Sequence, residues 1–274
     1  MPELPEVETI ANGVNQRVRG HRIVSVWTSG MPQTFKSPEV EIEAALAGTV
    51  IEGVRRVGKT IVMTVARKGK RAEFLVRSEF LVHLGMTGRL LVSEKDVPLA
   101  AHTHAVLSLE DGREVRFVDP RRFGRLSVVQ DAYAGPGVEP TTIGDEEFAA
   151  LFKGRKLAIK AALLNQSLLH GVGNIYADES LFRAGIRPTR QAGRLTKVEL
   201  KRLREALQAV LKRAIKLGGS SVSDYVDAEG MSGYFQIEHK VYGRGGEPCT
   251  VCGAPIKKIV VGGRGTHYCA RCQK

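Results

Sequence analysis

Pro2, Glu3 and Glu6 are the residues near the start of the chain whose types and spacing can do chemistry. Once Met1 is removed, the expected fate of a methionine before so small a residue, Pro2 presents a secondary amine beside two carboxyl groups. An amine next to a carboxylic acid can attack an aldehyde-like carbon and exchange protons with the adduct. An α-amine titrates at about 7.7–8.0 and lysine at about 10.4, so roughly a tenth of the α-amine is neutral at pH 7. If Met1 is retained, the same nitrogen is an amide without nucleophilicity. Val7, Ile10, Ala11, Val14 and Val18 follow at helical spacing up to Gly20, and Pro5 suits a first helical turn. The positive end of that helix dipole disfavours the ammonium form further. A plainer reading is that the two carboxylates only cap the helix.

The second chemical cluster is metal-binding in type. All four cysteines fall in Cys249-x2-Cys252 and Cys269-x2-Cys272, with 16 residues between the pairs. Two such knuckles supply a tetrahedron of soft thiolates, which favours Zn2+. With every position filled by cysteine, no place is left for water, so the metal is expected to be one structural zinc. The alternative is a set of free or redox thiols. Lys257, Lys258, Arg264 and His267 lie between the knuckles, with Arg264 in the tight Gly262-Gly263-Arg264-Gly265 stretch. Further back, Gly171-Val172-Gly173-Asn174 opens a helix, where main-chain N–H groups and the dipole can meet a phosphate. Asn174 is expected to cap that helix or to donate to phosphate.

The elements that must position these groups divide the chain. From Arg22 to Gln130 short apolar stretches read as strands: Ile23–Thr28, Val50–Val57, Ile61–Ala66, Phe74–Val76, Leu81–Leu84, Leu90–Val92, Ala105–Leu109, Glu114–Val118 and Leu126–Val129. Asp111-Gly112 marks a hairpin, and a helix is expected over Pro38–Ala47. So many short strands predict a β-sandwich or barrel. Gly135-Pro136-Gly137 ends them. Helices are then predicted from Asp145, over Leu157–Leu169, over Asn174–Ala184 and over Thr196–Leu217, the last opened by a Thr196/Glu199 capping box. Ser220–Lys240 reads as a long polar loop, functional or disordered. Domain limits of 1–134, 135–240 (including loop 218–240) and 241–274 follow.

The 274 residues carry a formal net charge of +12 and 43% hydrophobic residues, so a buried core and a polyanionic partner are both expected. No apolar run is long enough to span a bilayer and no signal peptide is evident, so nucleic acid in the cytoplasm, rather than a membrane, is the expected partner.

Pro2-Glu3-Leu4-Pro5-Glu6-Val7-Glu8-Thr9, Asp119-Pro120-Arg121-Arg122-Phe123-Gly124, the Gly171–Ser180 stretch GVGNIYADES and the four-cysteine finger together resemble bacterial formamidopyrimidine-DNA glycosylase, from residue 2 to residue 274. The related endonuclease VIII enzymes typically open Pro-Glu-Gly-Pro-Glu, so Leu4 favours the formamidopyrimidine branch. The resemblance implies an α+β multidomain fold: an N-terminal β-sandwich with flanking helices, a helix-two-turn-helix domain and a C-terminal four-cysteine zinc finger, with DNA in the cleft between lobes. It implies a monomeric base-excision enzyme of the bacterial cytoplasm, associated with the nucleoid through DNA, that removes 8-oxoguanine and formamidopyrimidines from double-stranded damaged DNA and then cuts the backbone by β,δ-elimination.

Residue roles follow from the same resemblance. Pro2 attacks C1′, Glu3 protonates the sugar ring oxygen, and Glu6 stays ionised beside the developing cation. Lys59 matches the β-elimination residue and Arg264 the finger arginine linked to δ-elimination. Met86, Arg121 and Phe123 match the wedge that fills the space left by the extruded base. His102, Arg121, Arg155, Lys160, Asn174 and Tyr242 match contacts to DNA, mostly to phosphate, and N–H groups near Ser220–Tyr225 are expected to read the flipped base. Two rivals stand: an endonuclease VIII-like enzyme for oxidised pyrimidines, and a non-catalytic zinc-containing DNA-binding protein.

Overall fold

The computed structural model describes residues 1–68, 75–221, 227, 228 and 230–274. The chain forms two compact units, residues 1–134 with 218–233, and residues 135–217 with 234–274. The stretch 218–240 is therefore divided between units, and the cysteine-bearing segment shares one unit with the helices.

The first unit opens with α1 (Leu4–Val18), whose apolar stripe Val7, Ile10, Ala11, Val14 and Val18 is buried. Strands β1 (Ile23–Thr28), β2 (Val50–Val57), β3 (Thr60–Lys68), β4 (Leu75–His83), β5 (Arg89–Glu94), β6 (Thr103–Leu109), β7 (Arg113–Val118) and β8 (Arg125–Val129) follow, with α2 (Glu39–Leu46) between β1 and β2. They make two four-stranded antiparallel sheets, ordered β1-β6-β7-β5 and β2-β3-β4-β8. Phe80, Val82 and Met63 of one sheet share a single core with Leu107, Val115 and Phe117 of the other and with α1, which makes the unit a β-sandwich.

One strand differs from expectation. Phe74–Val76 and Leu81–Leu84 were to be separate strands, but Leu75–His83 is continuous and pairs along β3 from Lys68↔Leu75 to Thr60↔His83; Phe74 lies outside the described residues. The polar interruption is absorbed by partners. Arg77 pairs with Glu52, Ser78 donates to Gln130, and Glu79 accepts from Arg55 and from the Tyr133 N–H.

The second unit holds α3 (Asp145–Phe152), α4 (Ile159–Leu163), α5 (Asn174–Ala184) and α6 (Lys197–Lys216), then the hairpin β9 (Lys257–Val261) and β10 (Arg264–Tyr268). Its core includes Phe148, Phe152, Tyr176, Leu203 and Leu207. The Thr196/Glu199 capping box opens α6, and a hydrogen bond from Arg190 holds the Glu199 carboxyl at about 2. The helix expected over Leu157–Leu169 stops after Leu163. Side chains of the following segment take its main-chain groups: Asn165 accepts the Ser167 N–H, and Gln166 donates to Leu164 and Val172 carbonyls while accepting the Gly171 N–H. Such local bonds compete with a helix. No helix among the described residues is long and apolar enough to cross a membrane.

Candidate active site and metal centre

In the first unit Pro2 is buried and stands just before Glu3, the N-cap of α1. Glu3 and Glu6 form a reciprocal capping box, with the Glu3 N–H donating to Glu6 Oε2 at 2.8 Å. Capping and catalysis are thus not alternatives here. The cap itself fixes two carboxylates, 4% and 2% exposed, at the end of the chain that carries Pro2. Glu6 Oε1 accepts the Ser220 N–H at 2.7 Å. Gly219, at φ +81°, lies so close that a Cβ there would stand 2.8 Å from Glu6 Cγ. The Ser220 N–H expected to read a flipped base is therefore committed to Glu6, a correction to that role. Residues 222–225, where most of the rest of that expectation falls, lie outside the described residues.

Lys59 is half-buried in the two-residue turn Gly58-Lys59 that joins β2 to β3. Gly58 takes φ +61°, a conformation that hairpin turns require. Arg56 buttresses this turn: it pairs with Glu8 of α1 at 2.6 Å and donates to the Gly58 carbonyl at 3.2 Å. Cross-strand register brings further candidates to the same sheet end, because Thr60 faces His83 and His83 faces Arg125. Met86 follows His83, and Phe123 precedes Arg125. Met86 and Phe123 are 42% and 47% exposed, an uncommon state for large apolar side chains that have a core available. The exposed Arg121 guanidinium lies over the Phe123 ring, 4.7 Å from its centroid. His102, also exposed, sits just before β6 at φ +63°. Burial, then the charges of Lys59 and Arg125, hold the His83 imidazole below its usual range, and its Nδ1 accepts the Gly85 N–H at 3.2 Å.

In the second unit the four sulfurs lie within 4.8 Å of one another, with Cys249–Cys272 at 3.9 Å and Cys252–Cys269 at 3.5 Å. A tetrahedral zinc with Zn–S of about 2.3 Å sets sulfurs about 3.8 Å apart, so the donor set fits the ion. Burial, with hydrogen bonds from the other sulfurs, pushes the Cys272 thiol up to about 12; thiolates packed this closely need a cation. Gly262 and Gly263, at φ +58° and +73°, make the β9–β10 turn, and the exposed Arg264 follows as the first residue of β10.

The Gly171–Asn174 turn is tied to this hairpin. Asn174 does not cap α5, whose N-cap is Gly173; its Nδ2 donates to the Gly265 carbonyl at 2.9 Å. Tyr242 packs its ring edge-on against His239 and His267, and its N–H donates to Glu179. Arg155 is half-buried after α3 and donates to the Leu151 carbonyl.

Lys160 departs from expectation. It is fully buried, paired with Asp178 at 2.7 Å, and bonded to Thr266 Oγ1 and the Gly265 carbonyl at 2.8 and 3.0 Å. Three partners occupy the ammonium, so the phosphate contact expected of Lys160 is corrected to a bond that joins α4 and α5 to the finger. Glu179 was missed in the sequence. Its carboxylate gathers the N–H groups of Lys240, Val241 and Tyr242, while burial pushes its pKa up. Both acids stand inside the GVGNIYADES stretch, which was the available signal.

A β-sandwich whose first helix is capped by Glu3 and Glu6 just after Pro2, a helical module and a four-cysteine hairpin define a multidomain class of zinc-containing, nucleic-acid-directed proteins. Residues 1–126 match the formamidopyrimidine-DNA glycosylase N-terminal domain, residues 135–226 its H2TH domain, and residues 246–274 the zinc finger found in FPG and IleRS. The formamidopyrimidine-DNA glycosylase of Solibacter usitatus is 43% identical, covering all of both chains. The crystal structure of the MutM (FPG) protein from Thermus thermophilus is 40% identical with a TM-score of 0.85, covering 99% of this chain and 98% of that one. A complex of Lactococcus lactis Fpg with abasic-site DNA is 32% identical with a TM-score of 0.87, covering 99% of each chain. The chain belongs to the formamidopyrimidine-DNA glycosylase family, and its four-cysteine centre is a structural zinc site.

Proposed function

We propose that this chain is a bifunctional DNA glycosylase and abasic-site lyase that removes oxidised purines, 8-oxoguanine and formamidopyrimidines, from duplex DNA during base excision repair. The observation that carries this reading is the capped N-terminus, which holds Glu3 and Glu6 beside Pro2. Family membership supports the activity, and a relative crystallised with abasic-site DNA supports the lyase step. A duplex DNA substrate accounts for the charge of +12 and locates the enzyme with the chromosome.

After Met1 is lost, the neutral Pro2 amine attacks C1′ of a nucleotide turned out of the stack. The C1′–base bond breaks, and the base leaves with the proton that the attacking amine gives up. Glu3 protonates the ring oxygen, the sugar opens, and an iminium links C1′ to Pro2. Glu6, ionised and held by two N–H groups, stabilises this cation. Lys59 assists loss of the C2′ proton, with departure of the 3′-phosphate. Arg264 holds a phosphate flanking the lesion for the second elimination. Met86, Phe123 and Arg121 occupy the space left in the duplex. His102, Arg155, Asn174 and Tyr242 contribute backbone contacts, which set affinity more than sequence choice.

Borohydride reduction during reaction with an 8-oxoguanine:C duplex should trap a covalent protein–DNA adduct. Pro2→Gly, or retention of Met1, should abolish it. No adduct with the processed wild-type chain would leave only a DNA-binding role. Substrate class is read separately, because a Lactococcus lactis relative has been crystallised with DNA containing an oxidised pyrimidine. Faster cleavage of a thymine glycol:A duplex than of 8-oxoguanine:C would overturn the purine assignment.

A further inference from the structure

The three wedge residues come from two separate loops, and one buried carboxylate joins those loops. Asp119 has no solvent exposure. Its Oδ1 accepts the Thr87 hydroxyl at 2.6 Å, one residue after Met86, and the Arg121 N–H at 3.3 Å. Its Oδ2 accepts the Gly124 N–H at 2.7 Å, one residue after Phe123. The main chain of Asp119 adds a third segment. Its N–H donates to the His102 carbonyl at 3.0 Å, and its own carbonyl meets His104 Nε2 at 3.1 Å.

The loops joined in this way are under strain. His102 and Arg122, the only non-glycine residues with positive φ among those described, stand on either side of Asp119 in this bonded network. Such conformations are unfavourable for residues with a side chain and persist only where surrounding structure determines them. The loops also meet main chain to main chain: a Cβ on Gly85 would stand 2.5 Å from the Phe123 carbonyl carbon. Met86 and Phe123 are both exposed, and neither belongs to the buried core cluster of the sandwich. Their aim is therefore set by the main chain beneath them, and that main chain converges on one carboxylate.

We propose that Asp119 is a positioning residue for base displacement, holding the turns of Met86, Arg121, Phe123 and His102 in one rigid constellation. This rests on the wedge reading of Met86, Arg121 and Phe123. Asp119 touches no reacting atom, so its effect falls on extruding the damaged base rather than on chemistry at C1′.

The test compares two single-turnover reactions in one duplex sequence: excision of 8-oxoguanine opposite cytosine, and strand cleavage at a preformed abasic site, which has no damaged base to extrude. The fluorescence of 2-aminopurine next to the lesion reports unstacking directly. Asp119→Asn and Thr87→Val should slow excision about tenfold or more and delay the fluorescence rise, while abasic-site cleavage stays within about threefold of wild type. Thr87→Ser, which keeps the hydroxyl, should restore excision. Equal loss in both reactions for Asp119→Asn and Thr87→Val would mean a merely structural carboxylate and overturn the proposal. So would wild-type excision by Asp119→Asn when Met86→Ala is slow. Wild-type excision by both Met86→Ala and Phe123→Ala would remove the wedge reading itself, and the proposal with it.

Discussion

Lys160 carries a charge into a place without solvent, and what surrounds it decides what it does. Asp178 accepts the Lys160 ammonium and also the His267 N–H, so the pair ties a helix to the finger at two points. Removing one partner of a buried pair leaves the other charge uncompensated, at a cost of about 3–5 kcal/mol. Lys160→Met should therefore lower the melting temperature markedly. A phosphate-contacting lysine behaves differently, since its loss lowers the slope of log K against log salt by about one and leaves stability nearly unchanged. Measured below its melting transition, Lys160→Met should keep the wild-type slope. A reduced slope at unchanged melting temperature would return Lys160 to the DNA. From sequence alone nothing separated it from a surface lysine, because the burial depends on β10, more than a hundred residues away.

At the scale of elements, legibility followed how local the determinants were. The limits of α5 were readable because Gly173 and Gly185 flank it, and α6 because its capping box and apolar stripe lie within one stretch. The end of α4 and the continuity of β4 were not, since both depend on side chains bonding to partners that the local pattern does not reveal. In the same way, a capping role for Glu3 and Glu6 was legible, but the link of Glu6 to Ser220 spans most of the chain. The turn that carries Met86 adds a pH dependence. His83 Nδ1 accepts the Gly85 N–H only while the ring lacks a proton there. Its pKa lies below the ordinary 6.5 because of burial, Lys59 and Arg125. A His with a depressed folded pKa contributes no penalty above 6.5, and destabilises progressively as pH falls from 6.5 toward the folded value. His83→Asn keeps a short acceptor without the titration. Between pH 6.5 and 5 the melting temperature of wild type should fall more than that of His83→Asn. Parallel curves would show that His83 is not the group concerned.

At the scale of the molecule, the finger shares a compact unit with the helices. Gly265 and Thr266 are bonded to Lys160, the N–H groups of residues 240–242 to Glu179, and the carbonyls of Ala270 and Gln273 to Arg187. Zinc therefore fixes more than its four ligands. Stripping it releases β10, and with it the partners of Lys160 and of Asn174 at the start of α5. The β-sandwich core draws on none of these residues. Hydrogen exchange read by mass spectrometry should show, on chelation, loss of protection over residues 157–192 and 240–274, with residues 1–134 holding theirs. Protection and DNA binding should return together when zinc is restored, because metal binding and folding of the site are one equilibrium. Loss confined to residues 249–272 would mean that the finger is a separate appendage. A metal content well below about half an equivalent in the untreated protein, with DNA binding intact after chelation, would contradict a structural ion altogether.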